Sequence, residues 1–349
     1  MIFQWHVTNR CNLRCLHCYQ QTYEDASELS LEEIEQVLAQ IEQFRSRYRS
    51  RGPLHLTLTG GEPFLFPHLE ALIEKVHARK TIRSYSLLTN GHYIDAERIQ
   101  FLKKHPPAYV QISLDGTKEK HELIRGKGSF TKAVQGIRQL VAAGIRTSVS
   151  FTATRKNYKD ILKLSFLCNR LNINHLWTDR VIPSPGDAEG LSLGPAEVRK
   201  YIWLLRLAVL VNLHHPFTRN RISFARGLQF LSFPFQRPYR CSAGRTLLAL
   251  MPNGDVYPCR RMEYLVGNLF EQSLAEIYET NDLLSRLQDN TLSVRGCEKC
   301  RHARTCHGGL KCLAMAKNGD PLTRDPGCYV RSEEVKEEVA VEEGEIGGK

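Results

Sequence analysis

From its first residue to about residue 182 the chain alternates short apolar, β-prone runs with stretches of helical periodicity, and this alternation restricts its fold more than any other feature. Strands separated by helix-length segments pair in parallel, each crossover packing on a face of the sheet. Strands are expected at 2–8, 54–59, 82–88, 108–114, 146–153 and 175–182. The first helix begins at Ser30, where a capping box to Glu33 precedes a stripe of Ile34, Leu38, Ile41, Phe44 and Tyr48. Further helices fit 67–78, 94–104, 129–143 and 157–171. Six strands with five helices fall short of a full eight-fold barrel. The expectation is an α/β chain with a partial, open, TIM-like (β/α)6 barrel whose chemistry sits at the C-terminal ends of its strands.

Eleven cysteines in 349 residues are too few for a disulfide scaffold, and their placement is uneven. Three fall in the first eighteen residues, seven lie from Cys241 to Cys328, and Cys168 stands alone in an apolar run that marks it as packing. The expected division is a barrel over 1–185, an irregular bridge over 186–240 with a helix at Leu193 to Leu213, a cysteine-rich module over 241–331 organised by metal, and a disordered tail over 332–349. That tail holds seven Glu and two Lys, a net −5 within a total of +11, so the body carries +16 and favours an acidic partner. No Lys/Arg block with interleaved aromatics points to nucleic acid. No run of eighteen apolar residues and no signal-peptide pattern occurs, so a cytoplasmic protein without a membrane span is expected.

Three thiols, Cys11, Cys15 and Cys18, occupy the loop after the first strand. A disulfide takes two thiols and a closed zinc site four, whereas three on one loop suit an iron–sulfur cluster with one iron left open. Zinc is the alternative. The next strands end in Gly60-Gly61-Glu62-Pro63, Thr89-Asn90-Gly91 and Ser113-Leu114-Asp115-Gly116. Paired glycines permit close backbone approach to a ligand, and Glu62 offers a carboxylate to an amino group. Consecutive strands ending in polar or glycine motifs are what a site spread over several loops requires.

With these motifs in place, the chain resembles the radical S-adenosylmethionine superfamily: Cys11-x-x-x-Cys15-x-x-Cys18 followed by Tyr19 matches its signature loop, and Gly60 to Pro63 its motif for the methionine amino group. Thr89-Asn90, Ser113, Asp115 and Arg125 fit further cofactor-binding positions. The resemblance implies a four-iron, four-sulfur cluster at the three cysteines, chelated at its open iron by S-adenosylmethionine. Cys241, Gly254, Cys259, Cys297-x-x-Cys300-x5-Cys306-x5-Cys312 and Cys328 resemble the SPASM extension, which implies two auxiliary clusters, one on Cys297, Cys300, Cys306 and Cys328 and one on Cys241, Cys259 and Cys312. Two zinc knuckles are the alternative for this half. Five residues separate Cys306 from Cys312 where the family usually has three.

Two such clusters need eight thiolates and seven are present, so the cluster on Cys241, Cys259 and Cys312 is expected to have an open iron or a non-cysteine ligand such as His307. Cys259 is followed by Arg260 and Arg261, not by the Asp that sulfatase-maturing members place there. The resulting expectation is a peptide maturase that forms a thioether or carbon–carbon crosslink, an epimer or an oxidation. Its partners would be a peptide with an acidic leader, a separate leader-recognition protein and an electron donor such as flavodoxin or ferredoxin. A small-molecule oxidase in haem or quinone-cofactor biosynthesis is the second enzymatic reading. A non-catalytic iron–sulfur or zinc binding protein is the third.

Overall fold

A computed structural model describes residues 1–20, 22–23, 28–48, 52–183, 190–213, 221–222, 226–233 and 236–330. The tail over 332–349, expected to be disordered, lies outside them. The barrel half runs β1 (Ile2–His6), α1 (Leu31–Arg47), β2 (Leu54–Thr59), α2 (Leu69–Ala78), β3 (Ile82–Thr89), α3 (Ala96–Lys104), β4 (Tyr109–Ser113), α4 (Lys118–Arg125), α5 (Ser129–Ala142), β5 (Thr147–Ala153), α6 (Ile161–Arg170) and β6 (His175–Arg180). Then come α7 (Pro195–Leu213), β7 (Arg221–Ile222), β8 (Leu247–Leu250), β9 (Asp255–Tyr257), β10 (Gly267–Asn268), α8 (Leu274–Thr280), α9 (Asp282–Gln288), α10 (Ala303–Cys306) and α11 (Lys311–Asn318). Among the described residues no helix is long and apolar enough to cross a membrane.

The strands form one sheet in the order β10-β9-β8-β1-β2-β3-β4-β5-β6-β7, parallel from β8 to β7 and antiparallel only at β9 and β10. Each barrel strand alternates by the two-residue pleat. Phe3 and Trp5 of β1 and Leu54, Leu56 and Leu58 of β2 are buried toward the helices, while Gln4, His55, Thr57 and Thr59 face the cavity inside. Phe3 meets Phe44 of α1 edge to face at 5.6 Å, and each such side chain fully buried contributes about 1.5–3 kcal/mol. The capping box of α1 forms as its sequence predicts, with Glu33 N donating to Ser30 Oγ at 3.2 Å and Ser30 N to Glu33 Oε2 at 2.8 Å.

Three expectations change. The helix expected from 157 starts at Ile161, after a 3-10 turn over Tyr158–Asp160, because the Asn157 side chain accepts from Thr154 N and donates to the carbonyls of Asp115 and Thr152. Helix α4 was not expected: its sequence is mostly charged and it buries only His121 and Ile124. The cysteine-rich module is not held by metal ligands alone. Its β8 extends the sheet along the free edge of β1, and α8 and α9 bury Leu274, Ile277, Tyr278, Leu283, Leu284 and Leu287 in the same core as α1, with Tyr278 edge-on to Phe44 at 5.2 Å. Cys168 packs with no exposure, as expected.

A second tie joins the last barrel strand to the end of the module. Arg180 and Asp325, both buried, form a two-pronged ion pair at 2.9 and 2.5 Å, and Asp325 also accepts from the amides of Leu310 and Gly327. Removing one partner of a buried pair leaves an uncompensated charge, so Arg180→Met is expected to cost about 3–5 kcal/mol in chemical denaturation of the anaerobic protein. A loss under roughly 1 kcal/mol would show that water replaces the pair.

Candidate active site

The loops after β1 and β2 are stitched together through their backbones, Gly61 N donating to Thr8 O and Glu62 N to Arg10 O, both at 2.8 Å. A Cβ at Gly60, whose φ is +144°, would stand 2.5 Å from Thr8 O, and one at Gly61 2.2 Å from Arg10 O. What the paired glycines admit most closely is therefore the strand of chain that leads into Cys11, a nearer neighbour than the ligand their sequence suggests.

Glu62 lies behind this junction with no exposure. Its carboxylate accepts from Thr89 Oγ1 at 2.7 Å, Asn90 N at 2.8 Å and Phe64 N at 3.3 Å, so it fastens the end of β3 to the end of β2. Pro63 opens the 3-10 turn over Pro63–Leu65 that these bonds cap. Asn90 in turn donates to Asn12 Oδ1 at 2.7 Å, inside the cysteine loop. Burial outweighs these donors and pushes the Glu62 carboxyl up to about 7.

Asp115, also without exposure, holds the other flank. Its Oδ2 meets His17 Nε2 at 2.8 Å and Arg125 Nε at 2.6 Å, and its Oδ1 accepts from Thr152 N at 2.8 Å. Burial alone would raise its pKa, but Arg125 and His17 beside it hold it well below the usual carboxylate range. Arg125 donates onward to Cys15 Sγ at 3.7 Å, and Leu16 N bonds to Ile124 O at 2.8 Å, so the unexpected helix α4 is what supports the outer side of the cysteine loop. Leu13 N donates to Cys11 Sγ at 3.5 Å.

At the C-terminal ends of the strands these loops enclose a cavity of about 320 Å³. Cys11, Cys15, Cys18, Tyr19, Gly60, Gly61, Thr89, Asn90, Ser113 and Arg125 line it, while Glu62, Pro63 and Asp115 stand behind the wall and position it. The far wall holds residues whose presence at the site was not read from the sequence: Cys259, Arg260 and Arg261 of the module, Asp179 and Arg180 at the end of β6, and Arg226. Asp179 is shared by Arg261 and by Arg226 at 3.9 Å, which keep it below its ordinary pKa against the effect of burial. Arg260 donates to Thr59 Oγ1 at 3.0 Å and reaches Tyr19 OH at 3.5 Å. Its Nε is buried with no partner, and it pairs with no carboxylate among the described residues. Arg260 and Arg261 follow Cys259 directly in the sequence, yet the link of Arg261 to Asp179 crosses some eighty residues and leaves no local pattern.

The module's cysteines gather as two sets. Cys241, Cys259 and Cys312 act on one another's charge beside Arg261. Cys297, Cys300, Cys306 and Cys328 line a separate small cavity, where Arg324 donates to Cys328 Sγ at 3.7 Å. Among the described residues no three His, Cys, Asp or Glu side chains are drawn together as a single metal ion requires. Burial pushes the thiols of Cys11 and Cys297 up to about 11 and Cys306 up to about 12, so thiolates here call for cationic iron as well as the N–H donors of Leu13, Arg125 and Arg324. The residues present fit iron–sulfur clusters. His307 is buried, and burial together with the like charges of Lys311, Arg240 and Arg245 lowers its pKa to about 4.

Because Glu62 has a folded pKa of about 7, above its ordinary 4.5, its contribution to stability is full below pH 4.5 and is lost as the pH rises through 7. Between pH 6 and 8.5 the wild-type protein should lose roughly 1–1.5 kcal/mol of unfolding free energy that a Glu62→Gln variant does not lose. Equal pH slopes in urea titrations of the two proteins would show that Glu62 is ionised throughout.

The Radical SAM superfamily profile matches residues 5–167, and the iron–sulfur cluster-binding SPASM profile residues 241–306. The mycofactocin maturase MftC of Mycobacterium tuberculosis is 30% identical over 341 residues, covering 93% of this chain and 81% of the relative. The pre-heme d1 synthase of Dinoroseobacter shibae is 27% identical over 359 residues, covering 95% and 86%. Streptococcus suis SuiB, solved bound to S-adenosylmethionine and bound to precursor peptide SuiA, shares the fold at a TM-score of 0.74 and 17% identity over 94% of this chain and at least 76% of that one. The chain therefore belongs to the radical S-adenosylmethionine superfamily, among the enzymes that carry a SPASM iron–sulfur domain.

Proposed function

We propose that this enzyme acts on a peptide, abstracting a hydrogen to install a crosslink, an epimer or an oxidation, and that the peptide presents a carboxylate to Arg260. The observation that carries the reading is the shared cavity: thiols of the barrel loop form one wall and Cys259 of the module another, so a substrate between them touches both redox partners. Enzymes of this family use S-adenosylmethionine and four-iron, four-sulfur clusters, typically three where a SPASM domain is present, and when bound these supply the electron that cleaves the sulfonium and the radical that takes the hydrogen. Cys11, Cys15 and Cys18 would hold the radical-generating cluster. Cys297, Cys300, Cys306 and Cys328 would hold one auxiliary cluster and Cys241, Cys259 and Cys312 the other, whose fourth iron is left to a substrate thiolate or another group.

The chain's own residues then bind and orient. Tyr19, Gly60, Gly61, Thr89, Asn90, Ser113 and Arg125 face the cosubstrate's space, while Glu62 and Asp115 fix the loops that carry them. Of the arginines on the far wall, Arg180 is neutralised by Asp325, and Arg261 and Arg226 share one carboxylate. Arg260 remains for an anion. The same charge suits a tetrapyrrole carboxylate, which favours a second reading in haem biosynthesis alongside the relatedness to pre-heme d1 synthase. A leader-recognition protein and a flavodoxin or ferredoxin donor complete the proposed partners, and the basic body suits an acidic leader.

Reduced, anaerobic protein with S-adenosylmethionine and a short precursor peptide encoded beside its gene should release deoxyadenosine together with a mass change in the peptide. Joint Cys11→Ala, Cys15→Ala and Cys18→Ala substitution should abolish both while the auxiliary iron stays bound. Turnover of an iron porphyrin bearing carboxylates, with the peptide unchanged, would select the second reading. Losing a charge-assisted hydrogen bond costs about 1.5–3 kcal/mol, so Arg260→Gln should raise the substrate KM by roughly 10–150-fold, measured in the same assay. An unaltered KM would remove Arg260 from substrate recognition.

A further inference from the structure

The loop after β1 has two faces. Cys11, Leu13, Cys15 and His17 line the cavity, whereas the residues that alternate with them, Asn12, Arg14 and Leu16, are exposed outside it. Leu16 is 37% exposed although it is joined directly to Cys15, and its amide donates to Ile124 O at 2.8 Å, which sets it against the last turn of α4. That turn also carries Leu123, 51% exposed. One leucine open to water is ordinary, but two brought together on a redox loop and ringed by positive charge have the composition of an interface centre and rim. The ring comes from three elements. Arg14 donates through Nη1 to Cys11 O at 2.7 Å and to Leu13 O at 3.0 Å, which fixes its guanidinium on the outer face. Lys127 follows the end of α4, and Lys132 lies in the first turn of α5, whose Ala133 backs the Gly91 turn that holds His92 Nδ1 3.0 Å from Asn12 Nδ2. All three cations are exposed and make no ion pair among the described residues. The acidic residues of α4 offset them little: Glu119 pairs with Lys120 at 3.2 Å, and Glu122 is partly buried.

We propose that this outward face is where the reducing partner docks, a small acidic protein that carries single electrons, with Leu16 and Leu123 at the centre of the contact and Arg14, Lys127 and Lys132 at its rim. The inference rests on the reading that a flavodoxin or ferredoxin serves this enzyme. The carrier gives up one electron and is oxidised, and that electron enters at Cys11, Cys15 and Cys18. Cosubstrate and peptide take the cavity side of the loop, so its outer side is the short way in, and tunnelling falls steeply with distance. A contact of this kind must form and part at every turnover. Electron-transfer complexes accordingly bury less than about 1,200 Å², and complementary rim charge speeds their encounter more than it deepens their affinity.

The test uses the reconstituted full chain and follows deoxyadenosine release from S-adenosylmethionine without any peptide, driven either by reduced flavodoxin or by dithionite. Leu123→Gln and Lys127→Glu should each raise the apparent KM for flavodoxin roughly tenfold and leave the dithionite-driven rate at the wild-type value. Flavodoxin binding measured by calorimetry should weaken in step. In wild type that KM should climb as salt shortens the Debye length from about 30 to about 8 Å, and it should climb less in Lys127→Glu. Equal flavodoxin KM values in wild type and both variants would overturn the proposal, as would dithionite-driven rates that fall in parallel, which would make the face a support of the cysteine loop. Weakened binding of the precursor peptide with flavodoxin binding unchanged would give the face to the leader and overturn it too. A wild-type protein that dithionite drives and neither flavodoxin nor ferredoxin does would instead overturn the donor reading beneath it, so the two failures are told apart.

Discussion

One strand, β1, is hydrogen-bonded on both edges, to β2 of the barrel and to β8 of the cysteine-rich module, and everything at the active site depends on that double pairing. The chain leaves β1 where the two halves meet, so the loop carrying Cys11, Cys15 and Cys18 emerges with barrel on one side and module on the other. Gly60 and Gly61 then let that loop lie against the end of β2 with no side chain between. The cavity is thus formed by the register of three adjacent strands rather than by a cleft between independent bodies.

Much of this could be read from residue order because the barrel's signals are local. The alternation of Phe3 and Trp5 with Gln4 and His6, and of Leu54, Leu56 and Leu58 with His55, Thr57 and Thr59, encodes which face meets helices and which meets the cavity. The division of the module's thiols into two sets came from the resemblance to the SPASM pattern and not from residue order alone. What escaped notice lacks such periodicity. Helix α4 is charged along most of its length and is held by contacts to the cysteine loop. The tie of Arg261 to Asp179 joins residues eighty-two positions apart, and the contact of Arg260 with Thr59 spans two hundred and one.

Charge is distributed with a common logic on both sides of the cavity. Asp115 and Asp325 stand behind the wall, where Asp115 orients Arg125 and His17 and Asp325 secures Arg180, while the surface that a substrate meets holds Asp179 among a larger number of guanidinium groups. Such a surface attracts anions and is repaid when they bind, since its arginines are already fixed in place and lose little freedom on contact. The thiols lie within this cationic lining, which suits groups that accumulate negative charge on reduction.

The pairing of β8 with β1 also decides what becomes of the chain if it is cut short. Ending it near residue 240 would leave Ile2 to Trp5 with a row of unpaired amides and carbonyls, beside apolar side chains that α8 and α9 had covered. An open, flat strand edge of that kind recruits other strands, including those of identical molecules. The barrel therefore cannot be treated as a separable catalytic piece: a nascent chain that has emerged only as far as the bridge is a self-association hazard until its last third arrives to close the sheet.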